Sequence, residues 1–348
     1  MKQDNAVTAN CEARLDGLCA AIGRTPLLRL RRLSELSGCE ILAKAEYMNP
    51  GGSVKDRAAL SMVLAAERAG QLKPGGLIVE GTAGNTGIGL TLVGRARGYR
   101  MLAVLPAGLS EEKVALLRAV GAELRITEEH PRGHPEHYVA LAERLASSTP
   151  GAWWVNQFDN TANRQAHIDT TAPEIWQQSG GRVTAFVAAV GSGGTLAGCT
   201  LGLRRFRPEL VSACADPVGA AMYSWIKHSR PECGEGESVA EGVGQNRVTR
   251  NIEDVRIDEA FVISDRQAVA MQQHLLREEG IFVGLSAAIN VCGAMRLAAT
   301  RGRGQVIATI LCDGGGRYVS RLFNRDWLGA HGLLPDGTED FLHDLLRP

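Results

Sequence analysis

"EYMNPGGSVKDRAAL", residues 46–60, sets a lysine directly behind a proline, two glycines and a serine. The stretch reads as a tight turn running into a helix. From Ser53 the pattern is helical, "SVKDRAALSMVLAAERAG": Ser53 supplies a cap, Asp56 stands three residues on and Gly70 ends it. A solvated lysine needs no such setting. Ahead of it, "TPLLRLRRL" and "EILAKAEYMN" read as two strands with the short link "SELSGC" between them. Behind it come the buried strand "GGLIVEG", a glycine-rich turn, a helix of small residues closing at Gly98 and the strand "YRMLAVLP". The helix "SEEKVALLRAVG", the strand "AELRIT", the helix "EHYVALAERLAS" and the strand "WWVNQF" follow.

Alternation resumes after residue 160. A helix through "IDTTAPEIWQQSG" precedes the strand "TAFVAAV"; "LAGCTLGLRRF" is a helix and "LVSACADP" a strand. Residues 218–251 are glycine-rich and irregular. "FVISD" precedes a helix ending at Gly280, then a helix through "SAAINVCGAMRLAAT", then the strand "QVIATILCD". Short buried strands alternating with helices imply an α/β fold of doubly wound parallel sheets, covered on both faces and joined by right-handed crossovers. Ligands in such sheets bind beyond the carboxyl ends of the strands, where the glycine turns fall here.

A chain of 348 residues with 45% hydrophobic content is long enough for two domains. Its 38 basic and 38 acidic side chains cancel, so no basic excess points to nucleic acid. No apolar run is long enough to cross a bilayer, and "MKQDNAVTANCEARLDG" lacks the apolar middle of a signal peptide. The eight cysteines form no CxxC pair and read as free thiols of a reducing cytosol. His130, His134 and His137 share a segment with two prolines and a glycine, which reads as a solvated loop rather than a metal site. Trp153 and Trp154 read as core or dimer surface, and "FLHDLL" as a short packing piece.

Two glycine turns give the lysine a context. In "TAFVAAVGSGGTLAG" a strand leads through Gly191, Ser192, Gly193, Gly194 and Thr195 into a helix. Converging backbone N–H groups, a positive helix end and two hydroxyls suit a phosphate. The stretch is neither a Walker A loop nor a GxGxxG dinucleotide motif, and alone it also reads as a tight strand–helix turn. In "EGTAGNTGIGL", Thr82, Asn85 and Thr86 sit where N–H groups are free, which suits a small carboxylate or an ordinary capped helix. A phosphate cradle, a carboxylate cradle and a lysine at a helix start together suggest pyridoxal 5′-phosphate, an amino acid and a Schiff base on Lys55.

At these residues the chain resembles the cysteine synthase and cystathionine β-synthase family of pyridoxal-phosphate enzymes, from "IGRTPLLRL" at 22 to "RYVSRLF" at 323. The resemblance implies that "NPGGSVKDRAA" holds the cofactor on Lys55 and that "GSGGT" receives its phosphate. It implies that Asn85 meets the ring hydroxyl. Thr82, Ala83, Asn85, Thr86 and the Gln157 of "VNQFDNTAN" would receive the substrate carboxylate. Gly242 in "EGVG" would lie near the amine. It further implies two α/β domains with the cofactor in the cleft: a larger one of residues 12–49 and 161–348, including the N-terminal strand pair, and a smaller one of 50–160. A homodimer is the family's usual assembly, and a serine acetyltransferase is a possible partner. Neither a regulatory module after residue 325 nor a haem-binding extension is evident.

Two departures stand out. Ala83 replaces the family's serine beside the substrate. In "LCDGGGRY", aligned on Arg317 and Tyr318, Gly314 takes the place of the hydroxyl residue expected at the pyridine nitrogen. Two replacements are open, a bound water or the Asp313 carboxylate swinging in; strand alternation can turn Asp313 away, which favours water or no partner. The reaction implied is β-replacement, O-acetyl-L-serine and sulfide giving L-cysteine and acetate through an aminoacrylate. The alternatives are a cysteine desulfhydrase, another nucleophile, or a non-catalytic binding protein on the same fold, against which Lys55 itself argues.

Overall fold

Apolar runs such as "LIVEG" and "VIATIL" form strands buried on both faces. The computed structural model describes residues 16–82, 84–131, 133–335 and 340–347. Ten strands lie there: β1 (Leu27–Arg29), β2 (Glu40–Ala45), β3 (Leu77–Gly81), β4 (Arg100–Pro106), β5 (Glu123–Thr127), β6 (Ala152–Trp154), β7 (Ala185–Ala188), β8 (Val211–Pro217), β9 (Glu259–Ile263) and β10 (Val306–Leu311). They make a six-stranded sheet in the order β1-β2-β10-β7-β8-β9 and a four-stranded sheet in the order β5-β4-β3-β6. Every pairing is parallel except β1 with β2.

Alternation within β7 shows why the large sheet needs helices on both sides. Ala185 and Val187 pack into one apolar cluster, with the helices Asp265–Glu279 and Leu285–Arg301. Phe186 and Ala188 pack into the other, with the helices Ala172–Gln178 and Gly194–Arg204. The small sheet repeats the scheme. Ile78 faces the helices Lys55–Arg68 and Asn85–Ala96, while Val79 faces the helix Tyr138–Ser148. The N-terminal strand β2 joins the large sheet in register with β10, Ile41 opposite Ile307 and Ala45 opposite Leu311. The chain then leaves for the small sheet, and the turn that makes this passage is residues 46–54.

A buried ion network pins that turn. Arg57 Nε meets Glu46 at 2.7 Å, Arg57 also meets Glu174 at 2.7 Å, and Lys44 meets the same Glu174 at 2.7 Å. Two carboxylates and two cations in dry surroundings satisfy one another, and loss of one partner strands the rest.

Several local expectations are corrected. "RRLSELS" is not strand and link but the helix Arg31–Ser37. Ser34 and Ser37 hide their hydroxyls by donating to the carbonyls of Leu30 and Leu33, at 2.6 and 2.8 Å. The helix starts at Lys55 with Val54 at the cap position, and Ser53 Oγ, one residue earlier, accepts the Lys55 N–H at 3.2 Å. Asp56 instead accepts a hydrogen bond from the backbone N–H of Gly51. The strand in "WWVNQF" ends at Trp154, because Asn156 turns away at φ +50°. The helix before β7 begins earlier, at Ala162, and carries a π turn over His167–Thr171. Residues 218–251 include one short helix, Met222–His228. No helix among the described residues is long and apolar enough to cross a membrane.

Candidate active site

Lys55 stands where the passage turn meets the end of β10. The backbone N–H of Val54 donates to the carbonyl of Cys312 at 2.9 Å, and Ser53 forms an isolated bridge with Asp313. The lysine side chain lines a cleft of about 220 Å³ between the two sheets. Desolvation holds its amine below the ordinary lysine range, opposed by the nearby Cys312 and Asp313. Burial likewise pushes the Cys312 thiol up to about 11.

One wall of the cleft follows β3. Thr82, Gly84, Asn85 and Thr86 all line it. Thr82 Oγ1 accepts the N–H groups of Gly84 and Gly87, at 3.1 and 3.3 Å, which leaves its hydroxyl proton for a ligand. Thr86 donates to Gln157 Oε1 at 2.7 Å, and Gln157 Nε2 reaches the carbonyl of Gly81 at 3.3 Å. Thr82 and Thr86 from one motif and Gln157 from another are therefore brought together. Ala83 lies outside the described residues.

The opposite wall follows β7. Gly193 takes φ +84° ahead of the helix Gly194–Arg204, which aims free N–H groups at the loop. A methyl on Gly191 would run into the carbonyl oxygen of Gly242, and one on Gly194 into the side chain of Asn163. The loop is braced from behind. Asn163 donates to Ser192 Oγ at 2.8 Å; Thr249 and Asn251 donate to the Ser192 carbonyl at 2.9 and 3.1 Å. Thr195 Oγ1 lies 3.3 Å from Nε2 of the buried His167, whose other nitrogen meets Thr171 at 2.9 Å. Burial, then Arg57 and Lys55, hold that imidazole well below its usual pKa. Gly191, Ser192, Gly193 and Thr195 line a smaller pocket that continues inward past Lys55.

Gly314 lines neither cavity, contrary to its expected place at a ring nitrogen. It bridges Val283 as extended backbone, with open space where a side chain would go. Ser286, in the first turn of the helix Leu285–Arg301, does line the cleft and carries a hydroxyl. Asp313 is buried away from the cleft, as alternation implies, and its carboxylate is engaged by Asn85 Nδ2 at 2.7 Å and the Tyr318 hydroxyl at 2.6 Å.

Sequence reasoning also missed the charged mouth. Lys113 and Glu241 line the cleft beside Gly242, which was expected there. Lys113 pairs with Glu241, which also meets Arg321 at 3.0 Å. The seven described cysteines are unpaired, and Cys11 lies outside the described residues. Among the described residues no group of His, Cys, Asp or Glu is set to hold a metal. His137 instead caps the helix Tyr138–Ser148, accepting the Val139 N–H at 3.4 Å.

The set fits one molecule. A primary amine with depressed basicity suits an aldehyde. A glycine loop too tight for side chains suits a phosphate, and an amide opposite that loop suits a ring oxygen. Comparison with known proteins agrees. Cysteine synthase 1 of Emericella nidulans is 48% identical over 345 residues, 97% of this chain and 93% of that protein. Cysteine synthase 1 of Neurospora crassa is 49% identical, covering 91% of this chain and 86% of its own. A solved structure of O-ureido-L-serine synthase superposes with a TM-score of 0.82 at 36% identity, over 94% of this chain and 98% of that one. Residues 18–313 match the family described as pyridoxal-phosphate dependent enzyme, and the chain belongs to that family.

Proposed function

We propose that the protein makes L-cysteine from O-acetyl-L-serine and sulfide by β-replacement. The observation that carries this is Lys55, set between a carboxylate-sized wall and a phosphate-sized loop in one cleft. The near-full-length likeness to two proteins named cysteine synthase 1 selects this replacement among the reactions such a cleft allows.

The bound cofactor supplies the electron sink that acidifies the Cα proton of an amino acid. Lys55 holds the cofactor and then takes that proton on Nζ; its depressed pKa keeps a larger neutral fraction for the task. Gly191, Ser192, Gly193, Gly194 and Thr195 hold the phosphate, and Asn85 the ring oxygen. Ser286 offers a hydroxyl to the ring nitrogen, a role that Gly314 does not fill. The Thr82 hydroxyl and the remaining Gln157 N–H orient the substrate carboxylate, and Thr86 fixes the Gln157 amide by donating to its Oε1. Gly242 closes against Gly191, and the Lys113–Glu241 pair narrows the entrance that sulfide uses.

The same reading divides the chain into a larger unit of residues 12–49 and 161–348 and a smaller one of 50–160, a split that the exchange of β2 into the large sheet supports. It assigns a homodimer in a reducing cytoplasm, with a serine acetyltransferase as a candidate partner. The test is a panel of β-substituted alanines, with cysteine and pyruvate measured with and without sulfide. Cysteine from O-acetylserine faster than from serine supports the reading; faster conversion of cysteine to pyruvate overturns it in favour of a desulfhydrase.

A further inference from the structure

Asn85 lines the cleft, but both ends of its carboxamide are taken by groups far away in sequence. Its oxygen accepts a hydrogen bond from Arg317, and its nitrogen donates to Asp313 Oδ2 at 2.7 Å. An amide has two N–H donors and one oxygen. With the oxygen held by a guanidinium and one N–H by a carboxylate, a single donor is left for the cleft. Rotation by half a turn would set oxygen against carboxylate and nitrogen against guanidinium, two like-polarity contacts at once.

The clamp is itself fixed. Asp313 has no solvent exposure and takes a second hydrogen bond from Tyr318, at 2.6 Å. Its other oxygen has no hydrogen-bond partner and lies against Gly284, where any side chain would collide with it. Arg317 is held by the carbonyl of Gly51, in the lysine turn. The residues on either side of Asp313 are tied down too: Cys312 to Val54, Gly314 to Val283.

In pyridoxal phosphate the ring oxygen and the phosphate arm flank the carbon that bears the aldehyde. With the aldehyde at Lys55 and the phosphate at Gly191 to Thr195, the ring oxygen falls to the Asn85 side. We infer that Asp313 and Arg317 clamp the Asn85 carboxamide in one orientation, so that the cleft receives its remaining N–H and holds the cofactor's ring oxygen as an anion. Asp313 is then a positioning residue, acting through Asn85 without touching the cofactor. This rests on the reading of Lys55 as the cofactor lysine.

The test uses the cofactor-loaded protein and the two absorption bands that report the ionised and protonated ring oxygen, at fixed pH. Asp313→Ala, which frees the amide, shifts the band ratio about five-fold toward the protonated form, the worth of one hydrogen bond. Asp313→Asn keeps the wild-type ratio within two-fold, because its amide oxygen accepts the same two hydrogen bonds. Arg317→Met, which frees the other end, shifts the ratio as the alanine variant does and serves if that variant does not fold. A wild-type ratio in a loaded Asp313→Ala or Arg317→Met protein overturns the inference, as does an Asp313→Asn shift equal to that of alanine. A wild-type protein that takes up no cofactor overturns the underlying reading and this one with it; loaded variants that match a loaded wild type overturn this one alone.

Discussion

Glu80 sits at the base of the carboxylate wall, and replacing it with glutamine gives a pH signature that can be worked out in advance. The side chain is 1% exposed, accepts the Gln157 N–H at 3.2 Å through one oxygen and has no partner for the other. Burial, against hydrogen bonds from Gln157 and Asn156, pushes its carboxyl up from 4.5 to about 8. The folded protein therefore holds a proton that the unfolded chain releases. The stability this proton brings is complete below pH 4.5 and is lost as pH rises through about 8. One pH unit is worth about 1.4 kcal/mol, so wild type should lose about 2–3 kcal/mol between pH 5.5 and 7.5 from this group. Glu80→Gln is neutral at both values and matches the protonated acid in shape. The assay is urea denaturation of both proteins at both pH values. The variant should gain about 2–3 kcal/mol on wild type across that interval. An unchanged difference between them would show that Glu80 is already ionised, and that the carboxylate wall carries a buried negative charge.

Other outcomes follow from single contacts. Gly191→Ala should weaken cofactor binding tenfold or more in a fluorescence titration, because the new methyl meets the Gly242 carbonyl; overpacking of this kind costs about 1–3 kcal/mol. Arg57→Met should destabilise the protein by about 3–5 kcal/mol in denaturant, since it leaves the buried Glu46 and its neighbour Glu174 short of a cation. Gly314→Ser should be silent in both assays, within about 0.5 kcal/mol, because φ is −82° and nothing lies within 4 Å of the added carbon.

What was legible in the sequence was local. Buried parallel strands are apolar runs, so "LIVEG" and "VIATIL" announce themselves, and glycine turns at their ends mark where ligands go. Lys55, the Asn85 loop and the Ser192 loop each carry their signal within about ten residues. The helix Arg31–Ser37 was hidden because two of its buried positions are serines, polar by name but satisfied by their own backbone. The braces of the phosphate loop join residues far apart: Asn163 to Ser192, and Asn251 to Ser192. The Asn85–Asp313 contact spans 228 positions, and no spacing rule reaches so far. Gly314 misled for a related reason. Counting back from Arg317 and Tyr318 finds only hydroxyls on the same loop, whereas Ser286 reaches the cleft from a helix that precedes β10.

The central claim is that Lys55 carries the cofactor. Borohydride reduction of the protein supplied with pyridoxal phosphate, followed by proteolysis and peptide mapping, tests it directly. The pyridoxyl label should fall on the peptide containing Lys55 at one per chain. A label on another lysine, or a protein that takes none, would contradict the account.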